Sequence, residues 1–264
     1  MESKIYFLTF GAPTKNYHDA VIRLCKQAEK FDLFHKIIGL TEKNLQNDEE
    51  FWSKHKDFIN SNAKGYGYWI WKPYIINKTL EQMNNNDILL YLDCGCELNY
   101  LGKDKFLEFI EIVKNKKILG TSPSSSDYHY TKMDLINFFD MKNDIDLLKK
   151  KQFQSGIILM LKCNTILDLY DECYKIGVTN YHFIDDSSSI EKNFDGFIEH
   201  RHDQSVLSLL TKKYNCCNYD LDPSWIPNFN DITVFNDITI KWPIWAIRNK
   251  TGISILDELT KNLK

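Results

Sequence analysis

No apolar run in this chain approaches the length of a membrane span, so no membrane-crossing helix is expected. Basic excess is also missing. The 33 Lys and Arg stand against 36 Asp and Glu, a formal charge of -3. That balance supplies nothing to neutralise a phosphate backbone and predicts no nucleic-acid partner. Seven cysteines form no regular framework, and no Cys-x-x-Cys pair occurs. Cys94 and Cys96 flank Gly95, Cys216 and Cys217 are adjacent, and Cys25, Cys163 and Cys173 are scattered. This pattern suits reduced thiols of a cytosol and makes a zinc site a weak reading. The start, Met1-Glu2-Ser3-Lys4 followed by a short apolar run, lacks the make-up of a signal peptide. A soluble, cytoplasmic protein is expected.

Other absences narrow the chemistry. Gly65 and Gly67 make a Gly-x-Gly, but Trp69 follows where a dinucleotide fingerprint wants space and a third glycine. A dinucleotide-binding dehydrogenase is therefore disfavoured. No Ser-His-Asp elbow and no papain-like cysteine context occur, which leaves hydrolase readings weak. Asn77 and Asn249 open glycosylation triplets that a chain rich in Asn and Lys produces by chance. With no repeat, low-complexity tract or linker, residues 1–264 read as one domain with a wrapping C-terminal segment from about 220.

The chain is 43% hydrophobic and 14% aromatic, ample for a core. Residues 4–10, 36–40, 88–92, 117–120 and 157–161 are short apolar runs and read as strands. Helical spacing marks residues 17–31, 48–60, 74–83, 105–114, 131–151 and 164–176. Strand and helix alternate from the start, which predicts an α/β fold with a mostly parallel central sheet flanked by helices. The Ser-rich stretch 121–127 reads as a mobile loop near the site's edge.

Four places concentrate chemistry. The strand 88–92 ends in Asp93, and open α/β sheets bind ligands beyond the carboxyl ends of their strands. Asp93 there holds a cation or a ribose hydroxyl, or simply caps the following turn. Next, Lys64-Gly-Tyr-Gly-Tyr-Trp-Ile-Trp-Lys-Pro-Tyr74 sets Tyr66, Tyr68, Trp69 and Trp71 between Lys64 and Lys72. It is either a core plug or a platform for a planar ring flanked by cations. Third comes Glu199-His-Arg-His-Asp-Gln-Ser205, with more chemistry than a helix cap requires; His200 or His202 could complete a metal site with a distant carboxylate. Last, Arg248 and Lys250 follow the anchoring rings Trp242 and Trp245 and could close over an anionic leaving group.

Together these residues resemble a nucleotide-sugar-dependent glycosyltransferase of the glycosyltransferase-A (Rossmann-like) fold. The strand ending in Tyr91-Leu-Asp-Cys-Gly95 sits like the one that ends in the Asp-x-Asp motif. Gln154-Ser-Gly-Ile-Ile-Leu159 is similar to the Asn-Ser/Ala-Gly-Val-Leu-Leu strand of the retaining family 8 enzymes, and Asp203-Gln204 looks like their Asp-Gln pair. Gly95 stands where the second Asp of Asp-x-Asp is usual, and Pro243-Ile-Trp-Ala-Ile-Arg-Asn-Lys250 replaces the family's C-terminal His-x-x-Gly-x-x-Lys-Pro-Trp.

The resemblance implies transfer of a sugar, most naturally from a UDP-sugar and with retention, to an acceptor hydroxyl on a glycan or other molecule. Asp203 and Gln204 would face the reacting sugar. Thr9, Phe10, Arg23, Lys64, Trp71, Lys72, Asp93, Gly95, Gln154, Ser155, Arg248 and Lys250 would line the donor site. A divalent cation, manganese or magnesium, would sit on Asp93 and His202; alternatively Lys72, Arg248 and Lys250 neutralise the diphosphate without one. A non-catalytic nucleotide-sugar or glycan binding module is the rival reading that Gly95 suggests.

Overall fold

The structure is a computed structural model that describes residues 3–122, 124–216, 224–225 and 241–261. Its centre is a five-stranded sheet built from β1 (Ile5–Gly11), β2 (Lys36–Thr41), β3 (Ile88–Asp93), β5 (Ile118–Gly120) and β6 (Ile157–Leu161). The two-residue strand β4 (Glu97–Leu98) lies apart, in a second sheet with β7 (Ser224–Trp225) and β8 (Ile244–Trp245) in the order β4-β8-β7. In the main sheet the order is β2-β1-β3-β6-β5. β1 is parallel to β2 and to β3, whereas β6 is antiparallel to both β3 and β5, so β6 alone runs against the other four.

Side-chain alternation along these strands feeds two cores. Tyr6, Leu8, Phe10, Leu89, Tyr91, Ile158 and Met160 point to one face, against Ile75, Ile76, Leu80, Leu169, Tyr170, Val206 and Leu210. Ile5, Phe7, Leu90, Leu92, Ile157 and Leu159 point to the other, against Leu24, Phe31, Phe106, Phe109 and Val113. A sheet buried on both faces explains why its strands are continuous apolar runs rather than alternating ones. The helices that cover it are Lys15–Phe31 and Lys103–Lys116 on one side and Trp71–Glu81, Asn164–Thr179 and His202–Lys213 on the other. Among the described residues no helix is long and apolar enough to cross a membrane.

Two expectations change. The helix expected over 131–151 is broken into Met133–Phe138 and Ile145–Lys149, because Asp140 turns left-handed (φ 55°) and the Met141 amide closes on the Ile136 carbonyl. The Ser-rich loop is pinned: Gln152 donates its amide to the Ser125 carbonyl at 2.8 Å, and Asp127 is fully buried against Lys212. Residues 217–223, 226–240 and 262–264, which hold Cys217 and much of the wrapping segment with Asp222, Pro223 and Pro227, lie outside the described residues. The remaining six cysteines are free thiols.

A left-handed turn shapes the approach to the site. Gly65, Tyr66, Gly67, Tyr68 and Trp69 all have positive φ (59°, 54°, 81°, 50° and 60°). The Tyr68 amide donates to the Lys64 carbonyl at 2.8 Å and the Trp69 amide to the Gly65 carbonyl at 3.2 Å. L-residues in this conformation cost roughly 1–2 kcal/mol each, and here only Gly65 and Gly67 escape that cost. Gly67 is also tight, since a Cβ there would lie 2.6 Å from Ile59 Cγ1. Gly67→Ala is therefore expected to lower stability by about 2–4 kcal/mol, combining left-handed strain with overpacking. A drop in the urea midpoint at constant slope would register this; an unchanged midpoint would mean the turn is not held as described.

Candidate active site

β3 delivers Asp93 to the carboxyl end of the sheet, with 46% of its side chain open. Tyr91, two positions earlier and so on the same face, donates its hydroxyl to Asp93 Oδ1 at 2.7 Å. The same oxygen lies 3.1 Å from Lys72 Nζ. Lys72 rises from the first turn of Trp71–Glu81 and is only 3% exposed. Its ammonium donates to the Ser155 carbonyl at 3.2 Å and hydroxyl at 3.3 Å, and stands 3.5 Å from Asp203 Oδ2. Asp203 comes from the first turn of His202–Lys213 and leaves 9% of its side chain exposed. One buried cation therefore joins carboxylates from two elements about 110 residues apart in sequence.

The backbone makes room for this array. Gly156 carries no side chain where a Cβ would sit 2.9 Å from Asp93 Oδ2, and its carbonyl accepts the Asp93 amide at 2.8 Å. The small residues before β6 thus let it close against the end of β3. Burial pulls the Lys72 pKa down, but Asp203 and Asp93 outweigh it, and the net shift is upward. Lys72 stays charged. Asp203 moves above the usual carboxylate range, chiefly through burial and against the pull of Lys72.

Beside this array the left-handed turn sets Trp69 and Tyr68 against His202, with ring centroids 5.3 and 5.1 Å apart. His202 itself has φ 53°; its Nδ1 donates to the Ile184 carbonyl at 2.8 Å and its Nε2 lies 3.6 Å from Asp186. Lys64 pairs with the same Asp186 at 2.9 Å. His200 is buried between the Lys132 amide and the Phe183 carbonyl, and burial drives its pKa down to about 3, so it is neutral. Arg201 lies over the Tyr130 ring at 3.9 Å. Of the expected His-rich cluster, only Asp203 reaches the Lys72–Asp93 array.

Several expected donor residues are enclosed by the protein or bonded within it. Thr9 and Phe10 are inside the sheet, because β1 runs on to Gly11; Thr9 is wholly buried and Phe10 stacks on Trp71 at 3.9 Å. Trp71 is 4% exposed and donates its indole N–H to the Gly65 carbonyl at 3.0 Å. These two rings are core rather than platform. Arg23 is buried, its guanidinium donating to the carbonyls of Cys94, Cys96, Asn249 and Thr251 and pairing with Glu97 at 3.1 Å. It rivets the loop after β3 to the C-terminal segment and does not reach the cleft. Gln154 Oε1 accepts from the Thr121 hydroxyl at 2.6 Å, and Gln204 donates to Gln152 Oε1 at 2.6 Å. Gln152 in turn donates to Asp127 Oδ1, so Gln204 belongs to the buried network that ends on Lys212.

The rivet holds Gly95 and Arg248 together. The Asn249 amide donates to the Gly95 carbonyl at 2.7 Å, and a Cβ on Gly95 would meet Arg248 Cα at 3.4 Å. Asn249 is buried with its amide on Glu97 Oε1 at 2.6 Å, which removes it as a glycan acceptor. Arg248 and Lys250 are exposed on this platform, Lys250 over the Tyr17 ring. Sequence reasoning reached most of these residues but missed the Arg23–Glu97 rivet and the Tyr91 hydroxyl. The period of two in β3 was the available signal for Tyr91.

A divalent ion does not fit the donor set present. Among the described residues no three His, Cys, Asp or Glu side chains converge. Asp93 Oδ1 is already shared by an ammonium and a phenol, and His202 is turned toward Ile184 and Asp186. The expected Asp93–His202 pair is therefore not assembled.

No protein-family model matches the chain, and no curated protein matches it. Among solved structures it is similar to a glycosyltransferase involved in glycosylation of the major capsid of PBCV-1. The TM-score is 0.50 at 13% identity, over 98% of this chain and 99% of that one. The fold is that of a glycosyltransferase. Mouse xyloside xylosyltransferase 1 in its apo form aligns over 96% of this chain and 100% of its own, with a TM-score of 0.47 and 12% identity. The galactosyltransferase LgtC, solved with donor and acceptor sugar analogues, aligns over 97% of this chain and 85% of its own, with a TM-score of 0.41 and 13% identity. β3 ends in Asp93, and the Asp93–Lys72–Asp203 array lies at that carboxyl end of the sheet.

Proposed function

We propose that the protein is a cytoplasmic hexosyltransferase that moves a sugar from a nucleotide-sugar, a UDP-sugar in the first instance, to an acceptor hydroxyl with retention. The observation that carries this reading is the half-open Asp93 at the carboxyl end of β3, backed by a buried Lys72 and Asp203. In the reaction the bond from the anomeric carbon to the diphosphate oxygen breaks and its electron pair leaves with the nucleoside diphosphate. The acceptor oxygen bonds to the anomeric carbon and its proton passes to the departing diphosphate. Asp93 binds sugar or ribose hydroxyls, while the Asp203 carboxylate below offsets positive charge on the sugar ring. Asp203 is too enclosed to take the acceptor's proton directly, which favours retention over a general-base inversion. The residues form one domain in this reading, 1–264.

The acceptor is assigned to a cavity of about 460 Å³ lined by Lys132, Asp186, Ser189, Glu191, Lys192 and Asn193 among others. Hydroxyls, an amide, carboxylates and the ammonium groups of Lys132 and Lys192 beside the Phe197 ring suit a polyhydroxylated ligand. Its wall is preformed: Asp134 accepts the amides of Ile190 at 2.7 Å and Glu191 at 2.9 Å. Asp186 belongs both to this lining and to the His202–Lys64 contact at the cleft.

Thermal unfolding against UDP- and GDP-sugars tests the reading. A donor bound only by the native state raises the melting temperature by mass action, by about 2.7 kcal/mol of stability at one hundred times Kd. A shift with one donor, followed by its slow hydrolysis, is expected. No shift with any donor would sink the transferase reading.

A further inference from the structure

The position of Arg248 bears on how the cleft handles a diphosphate without the ion that this fold would suggest. Gly95 stands two residues after Asp93, where a second metal-binding acid would be placed, and its Cα is covered by the Arg248 backbone. Arg248 is held in a left-handed conformation (φ 53°) by its neighbours: the Asn249 amide on the Gly95 carbonyl, and Arg23 bridging the carbonyls of Cys94 and Asn249 at 2.8 Å each. The side chain projects from this braced platform and is exposed. Lys72 is no substitute, because it is enclosed and neutralised by Asp93 and Asp203.

We propose that Arg248 is the cation for the donor diphosphate and that nucleotide binding needs no divalent ion. The inference rests on the transferase reading above. A guanidinium offers a planar fork of donors that matches two phosphate oxygens, and it cannot lose its charge near neutral pH. Lys250, two residues on and also exposed, over the Tyr17 ring, adds a second positive charge on the same segment. An ion seated on Asp93 would instead face the Lys72 ammonium, 3.1 Å from the same oxygen and unable to withdraw from its enclosed position. Arg23 and Glu97 then act as positioning residues, since they hold together the two loops that meet at the Arg248 backbone.

Calorimetric titration of UDP, and separately of GDP, into the full chain, in EDTA and then in manganese, decides the matter with wild type, Arg248→Lys and Arg248→Gln. The exposed side chain makes both variants compatible with folding, which circular dichroism would verify. Wild-type Kd values within threefold of each other in the two buffers are expected. A loss of tenfold or more in Arg248→Gln should occur in both, with a smaller loss in Arg248→Lys, which keeps the charge but not the fork. Tightening of wild type by more than tenfold in manganese, with Arg248→Gln unaffected, would overturn the inference and leave the transferase reading standing. Absence of UDP and GDP binding in either buffer would overturn both.

Discussion

Lys72→Met should abolish sugar transfer and cost the fold about 3–5 kcal/mol. The ammonium is 3% exposed and stands within 3.5 Å of carboxylates from two elements. Methionine keeps the volume of the stem but leaves Asp203 enclosed without its cation, and uncompensated buried charges account for losses of this size. The fold can avoid part of the penalty by protonating Asp203. Burial and the like charge of Asp93 already hold its pKa above the usual range, and Lys72 is the main influence opposing them. Removing Lys72 therefore moves the Asp203 pKa further up.

The sign of the pH effect follows. With a folded-state pKa above the unfolded one, Asp203 contributes stability below the unfolded value near 3.9 and loses it as pH rises through the folded value. In Lys72→Met that crossing shifts to higher pH, so the variant should gain relative stability on acidification, whereas its residual donor hydrolysis should fall away at a higher pH than in wild type. Chemical unfolding at pH 5 and pH 8 and a pH–rate profile would check both. A variant with unchanged stability at pH 8 would rule out the enclosed Lys72–Asp203 pairing.

Asp203→Asn should lower the rate of transfer by a factor of about 10²–10³ with nucleotide affinity changed less than threefold. Preorganised charge acting on a developing cation is worth a few kcal/mol in a water-poor site. The amide is nearly isosteric, and Lys72 keeps Asp93 at 3.1 Å and the two oxygens of Ser155, so the fold should survive. Separate measurement of kcat and of UDP affinity tests this. Normal turnover would remove Asp203 from the reaction, while loss of nucleotide binding would make its role structural.

The strand register and the site were legible to different degrees. Apolar runs ending at Asp93 and beginning after Gly156 located the two strands that meet at the cleft, because a doubly covered sheet demands uninterrupted hydrophobic side chains. Lys72, Asp93 and Asp203 were singled out from chemistry and spacing, and Ser155 from the family resemblance. Their convergence on one ammonium was not, since it depends on the antiparallel insertion of β6 beside β3. In sequence Trp71 belonged to a set that was either a core plug or a platform for a planar ring, and the resemblance put Phe10 in the donor site. Stacked at 3.9 Å, they fill the core, and nothing local distinguishes the two uses.

The amino-acid sequence by itself determined the α/β class, the carboxylate at the end of the central strand and the lack of a second acid at Gly95. Local hydrophobic period and turn chemistry carry that much, because they act over a few residues. Only the tertiary structure decided that Arg23 is a rivet, that Lys72 is a buried counter-ion and that Arg248 sits against Gly95. Each of these depends on contacts between segments 71 to 228 residues apart, which no local pattern encodes.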